Sequence, residues 1–298
     1  MRLKFLAASL LFLSSSLPAV AHGLADTEIH TQQVAPGIAV LSGEGGNIAV
    51  SHGPDGTLLI DDEFAPLAGK VLAAVQALGA EPVRFLVNTH WHVDHAGGNE
   101  EMGKAGAIIF AQDNVRTRLE RGGTVLGNVI APTAHQGLPI VTFDKGISLH
   151  LNGDTIDIIP TVGGHTDGDS AVYWRKANVL HTGDLMMKGK GYPFIDVDSG
   201  ATADHLITSL DQLIALSNPD TIIIPGHGPL ATQAELIAWR GHVADAIATI
   251  GRMDAMGETI DAIKADPAVK SLDAPGGFFP VDLFIANVRK SGAAAHHH

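Results

Sequence analysis

Thr89-His90-Trp91-His92-Val93-Asp94-His95 constrains this chain more than any other stretch, because four side chains able to bind a metal fall within six residues, 90–95. Imidazole and carboxylate suit a borderline cation such as Zn²⁺, and a segment leaving a strand can aim alternate side chains at different points. His90 and His92, two apart, face the same side of an extended segment, whereas Asp94 and His95 fall where the chain must turn into a helix. One short segment can therefore serve two ions. The bland alternative is a His-rich surface loop without metal. Against it stand the apolar Leu86-Val87 before the run and Ala96-Gly97-Gly98-Asn99 after it, which read as a buried strand and a tight helix entry.

Three further segments repeat one pattern. Gly163-Gly164-His165-Thr166-Asp167, His181-Thr182-Gly183-Asp184 and Pro225-Gly226-His227-Gly228 each set a His or Asp beside glycine, just past an apolar run (residues 156–159, 179–180 and 222–224). Each reads as a strand ending in a loop, where glycine permits close approach of the backbone to an ion. A lone histidine after a strand is usually structural. Three such segments together with the first motif make a metal site the stronger reading.

His90-x-His92-x-Asp94-His95, followed in order by His165, Asp184 and His227, resembles the metallo-β-lactamase superfamily over residues 38–229. The resemblance implies a first metal held by His90, His92 and His165, a second held by Asp94, His95 and His227, and Asp184 bridging the two. It also implies that Asp61, closing the strand 58–60, orients the site; a simple turn role shared with Asp62 is the alternative. The chain has no cysteine. The thiolate ligand of the best-known zinc β-lactamases is therefore missing, and Asp184 stands in its position, as in sites of the glyoxalase II type. His92, where the flavo-diiron oxidoreductases of this fold carry glutamate, favours hydrolysis.

The chemistry can also be argued from the residues. Two cations about 3.5–4 Å apart can share a hydroxide, since bound Zn²⁺ lowers the pKa of its water from about 15.7 to roughly 7. The same ions polarise a carbonyl under attack, so no protein nucleophile is required. That suits a chain with neither a Gly-x-Ser-x-Gly elbow nor a cysteine. Asp94 is the candidate catalytic residue, holding the second ion, orienting the hydroxide and passing a proton to the leaving group.

Composition bounds the class. The 298 residues are 45% hydrophobic and 17% charged, enough apolar material for a large core. A formal charge of −13 makes nucleic acid a poor partner. Arg2 and Lys4 precede an apolar stretch at residues 5–13, and Ala19-Val20-Ala21 fits a cleavage site, so residues 1–21 read as a signal peptide. A periplasmic or secreted protein follows, with no stable membrane insertion after cleavage because the apolar run is too short to span a bilayer. Residues 22–290 form the expected hydrolase domain. Residues 291–298 read as a linker and partial histidine tag.

Periodicity predicts strands at residues 38–41, 48–51 and 57–60, an amphipathic helix at 67–78 and a strand at 84–88 feeding the first motif. A second half begins near residue 140, with strands at 147–151, 155–160, 171–174, 178–180 and 221–224 and helices at 203–217, 232–253 and 260–264. The fold class is α/β. Two sheets packed back to back with helices outside would bring the strand-end loops of both halves to one edge. The family resemblance implies the same four-layer αβ/βα sandwich.

Around the site, Lys188 is the candidate substrate-binding residue, a cation placed to hold a carboxylate, with Lys190 beside it. Tyr192-Pro193-Phe194 reads as an apolar wall or a core contact, and Glu44-Gly45-Gly46-Asn47 as a flap or a hairpin turn. Residues 122–137 are long enough for a lid. Phe278-Phe279 with Phe284 form an apolar patch that either caps the core or meets a second copy in a homo-oligomer.

The sequence thus predicts an exported dinuclear hydrolase with two Zn²⁺ ions, Fe²⁺ or Mn²⁺ also suiting the donors, that opens an amide or ester bond of a small molecule, β-lactams first. A glyoxalase II-type thioesterase or a lactonase shares these features. An iron-dependent sulfur or persulfide dioxygenase is the redox alternative, and a non-catalytic zinc-binding scaffold is the non-enzyme one.

Overall fold

The structure is a computed structural model and describes residues 23–295. The expected signal peptide, its neighbour His22 and the terminal histidines 296–298 lie outside the described residues.

Seven strands build the first sheet. They are β1 (His30–Ala35), β2 (Ile38–Ser42), β3 (Ile48–Gly53), β4 (Gly56–Ile60), β5 (Val83–Val87), β6 (Ile108–Gln112) and, after the small hairpin of β7 (Gly123–Val125) and β8 (Asn128–Ile130), β9 (Val141–Phe143). Strands β1 to β4 pair antiparallel as a meander, while β4, β5, β6 and β9 run parallel. The second sheet runs in chain order through β10 (Ile147–Leu151), β11 (Asp154–Pro160), β12 (Ser170–Trp174), β13 (Val179–His181), β14 (Ile222–Ile224) and β15 (Ala231–Thr232), with β13 and β14 parallel.

Alternation along the strands decides the layers, because successive side chains point to opposite faces. Leu58 and Ile60 pack with Val87 and Phe110 against Ile156, Ile158, Val172 and Trp174 of the other sheet. Leu59, between them, points outward to Val71 and Val75 of α1 (Ala68–Ala77) and to Met102. Here α2 (Val93–Ala96), α3 (Asn99–Lys104), which carries Met102, and α4 (Asp113–Arg121) follow in the chain. Beyond the second sheet, α5 (Ala203–Leu216), α6 (Gln233–Ala255), α7 (Ile260–Ala265), α8 (Pro267–Lys270) and α9 (Val281–Ala295) enclose the largest apolar cluster, which includes Leu180, Ile223, Leu210 and Ile250. Burying each such side chain contributes about 1.5–3 kcal/mol. The result is the expected four-layer α/β sandwich.

Two expectations shift. The border between halves falls after β9 rather than near residue 140, because β9 completes the parallel run of the first sheet. The polar strand β1 and the charged helix α4 carry too few buried residues, Val115 and Leu119 in α4, for periodicity to expose them. Helix α9 extends through Ala295, consistent with the high helix propensity of alanine.

Candidate metal centre

Carboxyl ends of parallel strands collect ligands in open α/β sheets, and all the predicted donors leave such ends or the adjoining loops. Strand β5 feeds His90 and His92, and the first turn of α2 carries Asp94 and His95. His165 stands in the loop from β11 to β12, Asp184 just past β13 and His227 just past β14. The fold brings these seven side chains into two adjacent clusters, His90 with His92 and His165, and Asp94 with His95, Asp184 and His227. All are buried except Asp94, whose side chain is 25% exposed.

Hydrogen bonds on the outer ring nitrogens dictate what faces inward. Asp61 accepts from the Thr89 backbone N–H and hydroxyl, both at 2.7 Å, and from His95 Nδ1 at 2.7 Å. The single hydroxyl hydrogen of Thr89 is thereby used, so its oxygen accepts from His90 Nδ1 at 3.0 Å. His92 Nε2 donates to Asp196 at 2.9 Å, and His165 Nδ1 donates to the Phe194 carbonyl at 2.7 Å. Each ring is thus left with a bare lone pair on its inner nitrogen. In the first cluster these meet at 2.9 Å (His165 Nε2 to His92 Nδ1) and 3.2 Å (His165 Nε2 to His90 Nε2) with no hydrogen to place between them. A cation satisfies that arrangement.

The second cluster makes the same demand by charge. Asp184 Oδ1 is buried without a hydrogen-bond partner, although His95 Nε2 lies 3.1 Å away. Two acceptors face each other there, so a proton or a metal must stand between them. Burial lowers His95, but the carboxylates of Asp184, Asp94 and Asp61 outweigh it and hold the ring well above the ordinary histidine range. Burial likewise lowers His227, yet Asp184 and Asp94 raise it to about 9. In the carboxylate-free cluster the sign reverses, where burial and then the neighbouring rings of His95 and His165 hold His90 well below its usual value. One cluster thus offers neutral nitrogen, and the other calls for positive charge. Asp184 Oδ2 lies 3.6 Å from His165 and 3.4 Å from His227, within reach of both.

The loops are held by backbone-level constraints. Asp61 and Glu63 adopt left-handed backbone angles, φ 65° and 68°, which let Asp61, Asp62 and Glu63 point three ways, to the His95 loop, to Gly98 N and to Gly45 N. A side chain on Gly226 would place its Cβ 2.0 Å from Asp184 Oδ1. Residues 44–47 are no loose flap. Glu63 binds Gly45, while Asn47 bonds to the carbonyls of Pro225 and Gly228, tying this turn to the His227 loop.

Lys188 is the sequence expectation that the structure turns elsewhere. Its ammonium binds the Leu230 carbonyl at 2.7 Å and Glu235 at 2.6 Å, and it lines no cavity at the site. Its loop bridges to His227, and this pairing directs the side chain to the start of α6. The donors instead open into an apolar cleft of about 430 Å³ lined by Phe64, Trp91, Phe194, Phe278 and Phe279, with Val125, Leu126 and Ile130 of the β7–β8 hairpin. The Gly122 to Gly137 stretch therefore contributes a cleft wall. Tyr192 and Phe284 stack on each other in the core, separate from the wall that Phe194 joins.

Sequence reasoning missed Asp196, Thr89 and the Phe194 carbonyl as partners of the histidines. Asp196 caps the short turn Val197–Ser199 with Asp198 beside it, and nothing local marks it as a histidine partner. His181 is buried, donates to the Asn47 carbonyl and accepts from Gly183 N–H, a structural role.

A family model described as the metallo-beta-lactamase superfamily matches residues 42–227. Among curated relatives, a hydroxyacylglutathione hydrolase of Cereibacter sphaeroides is 31% identical over 175 residues, covering 58% of this chain and 59% of the relative. One from Erythrobacter litoralis is 31% identical over 61% of this chain and 63% of its own length. The chain thus spans roughly three fifths of these relatives. Among solved structures, a metallo-beta-lactamase from Pontibacter korlensis superposes with a TM-score of 0.61 at 18% identity, covering 73% of this chain and 100% of that one. Another, from Cronobacter sakazakii, gives 0.57 at 23% identity over 91% of this chain and 97% of that one. These likenesses show the fold.

Proposed function

The chain belongs to the metallo-beta-lactamase superfamily, a metallo-hydrolase family, and from that premise we propose that it is a dinuclear zinc hydrolase which opens an acyl bond of a small molecule, β-lactam amides being the leading substrates. The observation that carries the reading is the position of Asp184, whose carboxylate reaches His165 of one cluster and His95 and His227 of the other at the base of an apolar cleft.

In this reading His90, His92 and His165 hold one ion, Asp94, His95 and His227 the other, and Asp184 serves both. When bound, the ions would polarise the scissile carbonyl and acidify water to act as nucleophile. The chain's own residues do the rest. Asp94 is the one donor left partly open to the cleft, so its carboxylate is free to orient the attacking water and to carry a proton to the leaving nitrogen. Asp61, Thr89, Asp196 and the Phe194 carbonyl hold the imidazoles in the tautomer that points a lone pair inward. The aromatic walls exclude bulk water, which strengthens the field of the buried carboxylates. The amino-terminal pattern supports export, and fractionation of cells producing the full chain tests it.

A thioesterase is the second reading, favoured by the hydroxyacylglutathione hydrolases among the relatives. Metal analysis by mass spectrometry, run beside hydrolysis of a chromogenic cephalosporin, S-lactoylglutathione and a lactone with and without chelator, decides between them. About two zinc ions per chain and chelator-sensitive cephalosporin turnover are expected. Thioester turnover alone would select the second reading, and iron with oxygen uptake and no hydrolysis would overturn both.

A further inference from the structure

We infer that Phe278 and Phe279 form an aromatic clamp selecting substrates that carry a flat apolar group beside the scissile carbonyl; the inference rests on the hydrolase reading above. Both rings come from the segment after α8, beyond residues 42–227 of the family match. The segment is pinned in place. Phe278 N–H donates to the Lys190 carbonyl at 2.9 Å, and Phe279 bridges to Gly191.

The two rings stand nearly perpendicular, at 87° with centroids 6.2 Å apart, and each reaches a different cluster. Phe279 stacks on Phe194 at 5.0 Å, and Phe194 stacks in turn on His92 at 5.7 Å. Phe278 meets His227 edge to face at 5.0 Å, with the Lys190 ammonium 4.5 Å over its ring. A corner of aromatic surface therefore joins donors of the first cluster to a donor of the second. Phe278 remains 42% exposed and Leu126, on the same cleft, 50%. Leaving such surface in water is unfavourable, and apart from the metal donors the cleft offers a ligand mostly apolar side chains. A substrate whose carbonyl sits at the donors must set its neighbouring group against these rings, where offset or edge-on stacking rewards a flat apolar group.

The test uses Phe278→Ala and Phe279→Ala, each beside the volume-conserving Phe→Leu change that guards against loss of fold. Metal-free protein is titrated with anilinonaphthalene sulfonate, and metal-loaded protein is assayed on phenylacetyl and acetyl substrates that share one leaving group. The Ala variants are expected to weaken probe binding at least about fivefold and to lower kcat/KM for the phenylacetyl substrate, through KM, about tenfold more than for the acetyl one. The Leu variants should retain part of both. Equal losses on the two substrates, or unchanged probe binding, would overturn the clamp. Absence of turnover by the loaded wild-type protein would instead sink the hydrolase reading, with the probe titration still judging the clamp.

Discussion

Asp61 Oδ2 lies 2.7 Å from His95 Nδ1, and both side chains are wholly shielded from solvent. The contact orients a metal donor, because a carboxylate can only accept and so keeps the His95 proton on the outer nitrogen. Asp61→Asn is the informative change, since asparagine tolerates the left-handed backbone at this position. Metal affinity should fall about 10–100-fold, measured by competition with a chromophoric chelator, while the fold persists. Wild-type affinity in this variant would make Asp61 a plain turn residue.

Asp196 acts on the other cluster, through His92. Asp196→Ala should weaken one of two metal-binding steps by about 10–100-fold and spare the other. Cobalt titration followed by visible absorbance resolves the steps, and equal weakening of both would contradict the assignment of His92 to one ion.

Gly226 has no room for a methyl group beside Asp184. Gly226→Ala should displace that carboxylate, remove more than nine tenths of the activity at fixed metal and cost about 1–3 kcal/mol of stability. Full activity with unchanged metal content would show that Asp184 does not need its present position.

Metal should also be part of the stability, since a ligand that binds only the folded chain adds about 2.7 kcal/mol at a free concentration of one hundred times Kd. Chelation is expected to lower the unfolding midpoint and re-addition of zinc to restore it. An unfolding curve indifferent to chelator would show that bound metal adds no measurable stability.

Acid stability depends in part on Asp157, which sits across from Ser148 on β10 and binds Arg175. Burial raises this carboxyl, but the bonds from Arg175 and Ser148 prevail and hold it below its ordinary value. A depressed carboxylate contributes stability above its unfolded pKa of about 3.9 and loses it as pH falls through the folded value. Arg175 is largely exposed, so solvent screens the pair, and Asp157→Asn should cost below about 1 kcal/mol at neutral pH and progressively less as pH falls. A cost that does not shrink as pH falls would point to packing instead of charge.

How much was legible beforehand varied with the range of the interaction. His90, His92, Asp94 and His95 announced themselves because chemistry was concentrated in six residues, and strands buried on both faces, such as residues 56–60, showed as continuous apolar runs in the local sequence. The edge strand β1 and helix α4 bury little and so leave little pattern. Lys188 looked like a substrate anchor from its distance along the chain to Asp184, yet Glu235, 47 residues on, takes its charge.

By itself the sequence determined the donor types, their order along the chain and the layered α/β architecture, since periodicity and ligand chemistry are properties of neighbouring residues. Only the tertiary structure decided which histidine nitrogen faces inward, that Asp184 reaches both clusters, and that Phe278 and Phe279 return from the far end of the chain to wall the cleft. Those features depend on atoms brought within a few ångströms from distant segments, as Asn47 and the Gly228 carbonyl are at 2.8 Å across 181 residues, and no local pattern encodes such a meeting.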